Sequence, residues 1–414
     1  VAEGVILNVM KDEFPQELTS GNPHAQTACI IGIGETPYLR WGRSVEHNEF
    51  QLACLAIVTA VRDAGMELGS VDGLVSFADP PGDLTVLQLA LGIKQLKFSA
   101  MVWGGRGGSA CGAVALAAAA VESGKAQAVV VVRSLCQGRS RRYGRSFAAR
   151  THTNFNAPFG LFSPPQMLAL AMQRYDHQWG LDSEAMFQVA RICNENAQSN
   201  PRAVMYGRPL TREKYLASKL IAEPLRLYDC CLESDGACAL VVTTTARAAR
   251  LGARPVALLA ATQYGATGWS TGYMGSHNLP ASEYGTGGQQ ELAHSLYAQA
   301  GLGPKDIDVV QIYDHFTGMV PITLEEFGFC ARGEGGAYIR SGQVARTGRT
   351  PMNTAGGSLS EAYVHGLNLV VEGVRQMRGE STCQIERART CLVTSGAGIM
   401  PTSALILGAA ASHL

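Results

Sequence analysis

No run in the 414-residue chain approaches the roughly 18 consecutive apolar residues that a membrane-spanning helix needs. An excess of charge of either sign is missing too. Lys+Arg and Asp+Glu each number 34, for a formal net charge of zero. A chain so balanced has no global field to hold nucleic acid or an anionic membrane. The 11 cysteines include no CxxC pair and no Cys/His spacing of a zinc site, so no metal is expected. Cys29, Cys54 and Cys238 lie in apolar stretches, where a free thiol behaves as a small hydrophobe. Cys230-Cys231 is a vicinal pair and not a chelate. This usage reads as a reduced, cytoplasmic protein. Residues 1–26 are polar, carry acids and prolines, and lack the apolar core of a signal peptide. Residues 1–27 are expected to be an N-terminal extension.

What the chain does have is apolar material, at 46%, and 47 glycines. Its length points to two or more packed units. The glycines suggest tight turns and close backbone approaches. A buried strand is expected at Cys29–Gly34, a helix over residues 48–64 with an Ala64-Gly65 stop, and a strand at Val71–Phe77. The second half repeats the pattern. A strand opens at Pro255–Ala260, a helix runs from Glu291 to an Ala300-Gly301 stop, and a strand follows at Ile307–Tyr313. In both halves the Ala-Gly stop begins eight residues before an Asp, Ala64 to Asp72 and Ala300 to Asp308. Both halves carry Gly-Gly-Ser ahead of or opening a helix, at 107–109 and 356–358. Both then place a strand after it, at Ala128–Val132 and Cys391–Ser395. A long repeat of mixed type predicts two similar α/β halves, 28–250 and 251–414. Residues 137–223 have no counterpart in the second half and are expected to be an insertion that covers a ligand. Phe155, Phe159 and Phe162 lie in it, with the basic set Arg139, Arg141, Arg142, Arg145 and Arg150.

Several segments together resemble the thiolase superfamily. They are Glu223–Cys231 followed by Ser234-Asp235-Gly236-Ala237, then Val310–Phe316, Leu324–Cys330, Gly333-Glu334 and Pro351–Ser360. The last four are similar to the lipid-transfer-protein, or sterol carrier protein X, type. The resemblance spans roughly 28–410. It implies the thiolase fold: two βαβαβαββ halves whose mixed five-stranded sheets stack in αβαβα layers. The departures are as informative as the matches. The position of the thiolase nucleophilic cysteine falls at about Gly107, and no thiol is there. Cys111 is the nearest, about one helical turn inward. Glu361–Gly366 stands where a Gly-His-Pro segment is usual, and Val393–Gly398 replaces a Cys-x-Gly-Gly pattern.

These replacements resemble the steroid side-chain-cleaving aldolases. That resemblance implies retro-aldol cleavage of a bulky β-hydroxyacyl-CoA to a ketone and a short acyl-CoA, typically propionyl-CoA. A retro-aldol step needs a base for the alcohol proton, donors for the thioester enolate, and an acid to protonate it. It needs no covalent intermediate, so the missing cysteine is tolerable, whereas a Claisen thiolase requires it. Tyr313 is assigned as base and Tyr363 as acid, with the exchange of roles left open. His315 and His365 are the expected helpers. Asp314 is expected to orient a ring or cap a turn, and Tyr264 to face the same region. Backbone N–H groups at Gly107, Gly108, Gly396, Ala397 and Gly398 are candidate oxyanion donors.

The competing readings are a thiolytic acyltransferase using Cys111 and a non-catalytic acyl-CoA carrier. No cofactor is expected in the chain itself, CoA being part of the substrate. The insertion arginines are expected to meet its diphosphate. The resemblance implies a homodimer and a small OB-fold, zinc-ribbon partner protein.

Overall fold

The computed structural model describes residues 27–77, 84–102, 106–136, 138, 157–161, 163–264 and 285–409. The expected N-terminal extension falls almost wholly outside them.

The strands follow the β-branched runs of the sequence. They are β1 (Ala28–Glu35), β2 (Leu39–Arg40), β3 (Gly73–Phe77), β4 (Phe98–Val102), β5 (Ala128–Cys136), β6 (Leu220–Ala222), β7 (Leu225–Arg226), β8 (Ser234–Thr244), β9 (Val256–Tyr264), β10 (Val309–Gln311), β11 (Thr390–Ser395) and β12 (Thr402–Gly408). The helices are α1 (Glu49–Asp63), α2 (Leu84–Leu91), α3 (Ala110–Glu122), α4 (Pro164–Trp179), α5 (Ser183–Gln198), α6 (Arg212–Leu216), α7 (Thr245–Leu251), α8 (Gln290–Ala300), α9 (Met319–Glu326), α10 (Gly335–Arg340), α11 (Gly357–Ser360) and α12 (Leu367–Arg378).

The main sheet runs β10-β11-β12-β9-β1-β8-β5-β3-β4, with β2 on β8. Two runs mirror each other about its centre. β5 is parallel to β3 and antiparallel to β8, while β11 is parallel to β10 and antiparallel to β12. The two meet where β1 pairs β9 through Cys29↔Ala257 and Ile30↔Val256. The hydrogen-bond ladder is therefore continuous across the two expected sheets.

Side-chain parity explains the layers, because successive residues of a strand face opposite ways. Val129 and Val131 of β5, and Leu240 and Val242 of β8, join one core with Val393 of β11 and Leu405 of β12. Their neighbours Val130, Ala239 and Val241 join a second core with α1 and α2. Leu392, Ala404 and Ile406 join a third with α8 and α9. The shared inner core holds α3 and α12. The α3 sequence, ACGAVALAAAAVE, is apolar nearly all round, as a helix buried between two sheets must be. The order is thus helices, sheet, helices, sheet, helices. Among the described residues no helix is long and apolar enough to cross a membrane.

Two details depart from the sequence pattern. β10 stops at Gln311, short of the expected Tyr313, because side chains replace the ladder. Asn353 Oδ1 accepts from the Ile312 N–H at 2.7 Å, and Thr394 Oγ1 from the Tyr313 N–H at 3.0 Å. The 137–223 segment contributes α4 to α6. Its α5 and the turn after it are more than a cover: Asn196 Nδ2 donates to the Met352 and Asn353 carbonyls at 3.1 and 3.2 Å, and Asn200 Nδ2, just past the helix, to the Ala355 carbonyl at 3.1 Å.

Candidate active site

The chain leaves β10 directly into Tyr313-Asp314-His315. Tyr313 is fully buried and its hydroxyl lies 2.9 Å from that of Tyr363, itself 6% exposed. Ser234 at the head of β8 holds Tyr363 from both sides. Its Oγ donates to the Tyr363 carbonyl at 3.1 Å and accepts from the Tyr363 N–H at 2.9 Å. The two phenols expected to move protons are thus in direct contact.

Gly107 lies against this pair. A Cβ on Gly107 would overlap the phenol oxygen of Tyr313. The position expected for a thiolase nucleophile is therefore occupied by the tyrosine hydroxyl. Gly108 and Gly396 pack backbone to backbone, so a Cβ on Gly396 would strike Gly108. Ser403 Oγ donates to the Gly108 carbonyl at 2.6 Å. Gly398 departs from its expected role. Its N–H is committed to the Gly287 carbonyl at 2.7 Å and is not a spare donor. Cys111 is a packed thiol: its Sγ lies 3.5 Å from the Val393 carbonyl, and burial pushes its pKa up to about 12.

His315 is 2% exposed, with Nδ1 3.3 Å from the Tyr313 carbonyl. A carbonyl only accepts, so Nδ1 carries the proton and Nε2 presents its lone pair. Nε2 has no hydrogen-bond partner among the described residues, and burial lowers the ring's pKa to about 4. The ring is neutral at physiological pH, 4.8 Å from the Tyr313 ring. His365 has the opposite arrangement, with Nδ1 accepting from Arg133 Nε at 3.1 Å. Of the two roles expected for Asp314, the structure takes the cap. Its carboxylate accepts from the Ser358 and Leu359 N–H groups at 2.7 and 3.2 Å, at the start of α11.

A cavity of about 550 Å³ opens onto the site. His315 and Tyr363 line it, with Pro164 and Leu210 from the inserted segment and Phe316 and Ile399 from the second half. The lining is mainly apolar, which suits a bulky hydrocarbon. Tyr264 ends β9 opposite Thr402. Arg139, Arg141, Arg142, Arg145 and Arg150 lie outside the described residues. No group of three or more His, Cys, Asp or Glu among the described residues is placed to hold a metal.

Sequence reasoning missed Arg133, Ser234's role, Thr394 and Glu361. Arg133 had a signal, a lone charge at the end of the Val129–Val132 run. Glu361 is buried beside the site and holds Asn200 Nδ2 at 3.0 Å. Burial, and after it the Glu372 carboxylate, raises its pKa to about 8.

Residues 280–409 match the family model described as thiolase C-terminal domain-like. A steroid side-chain-cleaving aldolase of Thermomonospora curvata is 43% identical over 395 residues, 92% of this chain and 98% of that protein. The chain belongs to the thiolase superfamily. Within it, the chain stands with the aldolase branch of the sterol-carrier-protein type. The 17-hydroxy-3-oxo-4-pregnene-20-carboxyl-CoA lyase of Mycobacterium tuberculosis is 40% identical, over 92% of this chain and 99% of that one. A solved structure, the Ltp2-ChsH2(DUF35) aldolase, superposes with a TM-score of 0.86 at 42% identity, covering 92% and 98% of the two chains. The acetyl-CoA acetyltransferase of Syntrophomonas wolfei, at 14% identity, shares the thiolase fold with a TM-score of 0.68 over 93% of this chain and 100% of its own.

Proposed function

We propose that this superfamily member is a carbon–carbon lyase that cleaves a steroid side-chain β-hydroxyacyl-CoA by retro-aldol reaction. The products are a ketone and propionyl-CoA or a similar short acyl-CoA. The observation that carries the reading is the direct contact of the Tyr363 hydroxyl, which lines the cavity, with that of Tyr313 behind it, in the space a nucleophile would need.

The chemistry follows from that contact. One tyrosine, as its phenolate, takes the proton of the tertiary alcohol. The carbon–carbon bond breaks, its electron pair becomes the thioester enolate, and the alcohol carbon becomes a ketone. The other phenol protonates the enolate carbon. The step consumes one proton and releases one, so two bonded phenols return themselves to the starting state by passing a proton across 2.9 Å. No redox change and no cofactor beyond the substrate's CoA is required. A free phenol has a pKa near 10 and is a weak base at neutral pH. The His315 lone pair beside Tyr313 is the acceptor that helps it. Tyr313 acts on the alcohol and Tyr363 on the enolate, with the Gly107, Gly108, Gly396 and Ala397 backbone as the polar wall near the thioester oxygen.

The enzyme is cytoplasmic and homodimeric, and works with a small OB-fold partner. The support for the partner is the likeness to the solved Ltp2-ChsH2(DUF35) aldolase.

The test is turnover of steroid and non-steroid β-hydroxyacyl-CoA thioesters by the chain with its partner. Tyr313→Phe and Tyr363→Phe should each lower kcat by at least about 100-fold, the range of general acid–base contributions. Full cleavage by either variant would remove that residue from the chemistry, and a thiol-dependent acyl transfer would sink the lyase reading.

A further inference from the structure

Arg133 ends an all-valine run in the middle of a sheet, and its side chain is 4% exposed. A buried charge is costly unless it is paired and hydrogen-bonded, so it is kept there for a reason. Its parity with Val129, Val131 and Leu135 turns it to the inner layer, opposite Cys238. There its guanidinium carbon stands 5.9 Å from the centre of the Phe77 ring and its Nε reaches His365.

That single bond fixes the state of the imidazole. An arginine N–H only donates, so His365 Nδ1 is bare and the ring proton sits on Nε2. An imidazolium would set two N–H groups against each other. His365 is also one of two non-glycine residues with positive φ among those described, at +49°, and Gly366 follows at +84°. Two successive left-handed residues, one with a side chain, persist only where surrounding contacts hold them. This turn carries Tyr363 on one side. On the other it lies on Tyr313, since a Cβ at Gly366 would stand 3.0 Å from that ring.

We infer that Arg133 is a positioning residue for the cleavage: through His365 it locks the strained 363–366 turn and fixes the imidazole as an N–H donor beside Tyr363. The inference rests on the retro-aldol reading above. The two histidines then have opposite polarity. His315 offers a lone pair beside Tyr313, and His365 offers a proton beside Tyr363, 5.2 Å between ring centres. A donor beside Tyr363 favours its phenolate after the proton has left, and an acceptor there would disfavour it. The other titratable groups around the clamp are Glu49 of α1, whose charge interacts with Arg133, and Asp235 of β8, which acts on Glu49.

The experiment uses the full chain with its partner. Arg133→Met should lower kcat by about 100-fold, as misplacement of reacting groups by an ångström does, with KM within about threefold. In a His365→Gln background the same change should lower kcat by less than about threefold, because the two residues act as a unit. If Arg133→Met does not fold, Arg133→Lys keeps a buried cation but not the guanidinium geometry, and should show the same kcat loss. Imidazole 15N shifts in histidine-labelled protein give a readout free of turnover. His365 should be the Nε2–H tautomer in the wild type and should lose that preference in the variant. Wild-type kcat in the variants, equal losses in both backgrounds, or an unchanged tautomer would each overturn the proposal. Activity retained by Tyr313→Phe would instead sink the underlying reading and leave the tautomer result standing.

Discussion

At the scale of single residues, position 107 decides what the pocket holds. A side chain there and the Tyr313 phenol compete for one volume. Gly107→Cys therefore restores the thiolase residue type without restoring the thiolase. It should push Tyr313 off the Tyr363 hydroxyl, cut cleavage by about tenfold or more, and destabilise the protein by about 1–3 kcal/mol through overpacking. Cleavage assays and thermal melts on the variant check both, and an unimpaired enzyme would show that the tyrosine is free to move aside. The glycine was legible in the sequence only as a missing cysteine. What fills its place comes from residue 313, and no local pattern records a contact that distant. Tyr313, Tyr363, His315 and His365 were legible because short motifs carry them. Arg133 was not, because a lone charge in a strand says nothing about which ring it will meet.

At the scale of elements, the short helix α11 depends on one buried carboxylate. Asp314 accepts two of its first N–H groups, and Gly357 beside it has a φ of +62°. Asp314→Ala leaves those donors buried and unpaired, at roughly 1–3 kcal/mol for each group. A loss of about 2 kcal/mol or more is expected in urea unfolding, with Asp314→Asn less harmed because one acceptor remains. Equal stability of the alanine variant would remove Asp314 from this role. The strand and helix patterns of the two halves were readable because hydrophobic periodicity is strong where both faces are buried. β10 was overread by two residues because Asn353 and Thr394 side chains take over its ladder. The helices of the 137–223 segment were visible as a pattern. The apolar faces of α4 and α5 pack on second-half residues, but the asparagine donor bonds that add to this anchorage were not visible, since they rest on single side chains and not on periodicity.

At the scale of the whole molecule, buried titratable groups set how stability follows pH. The His315 pKa is lowered from 6.5 to about 4 by burial. Between those values the unfolded chain binds a proton that the folded one refuses, so stability falls on acidification, by about 1.4 kcal/mol per pH unit. Glu361 works the other way, its pKa raised from 4.5 to about 8. Its contribution is complete below pH 4.5 and is lost as pH rises towards 8. The two oppose each other between 4.5 and 6.5, and above 6.5 Glu361 acts in the same direction as Glu49, whose pKa burial raises to about 7. Urea midpoints should therefore fall from pH 6.5 to 8 in the wild type and less so in Glu361→Gln. His315→Gln should flatten the acid side. Parallel curves for wild type and Glu361→Gln would show that Glu361 is ionised in the folded state.

The bonds that close the site join distant parts of the chain. Gly108 is held by Ser403, Tyr313 by Thr394, and Arg133 meets His365 across 232 residues. Thr394 and Ser403 lie on β11 and β12, which follow β9 and β10 in the chain. On the ribosome, β9 and β10 must wait without these partners while the two tyrosines are already synthesised. The site thus cannot close before residues 390–408 are free to pair. Until then the unpaired edges of β9 and β10 are the places where a nascent chain is open to mispairing or to a chaperone.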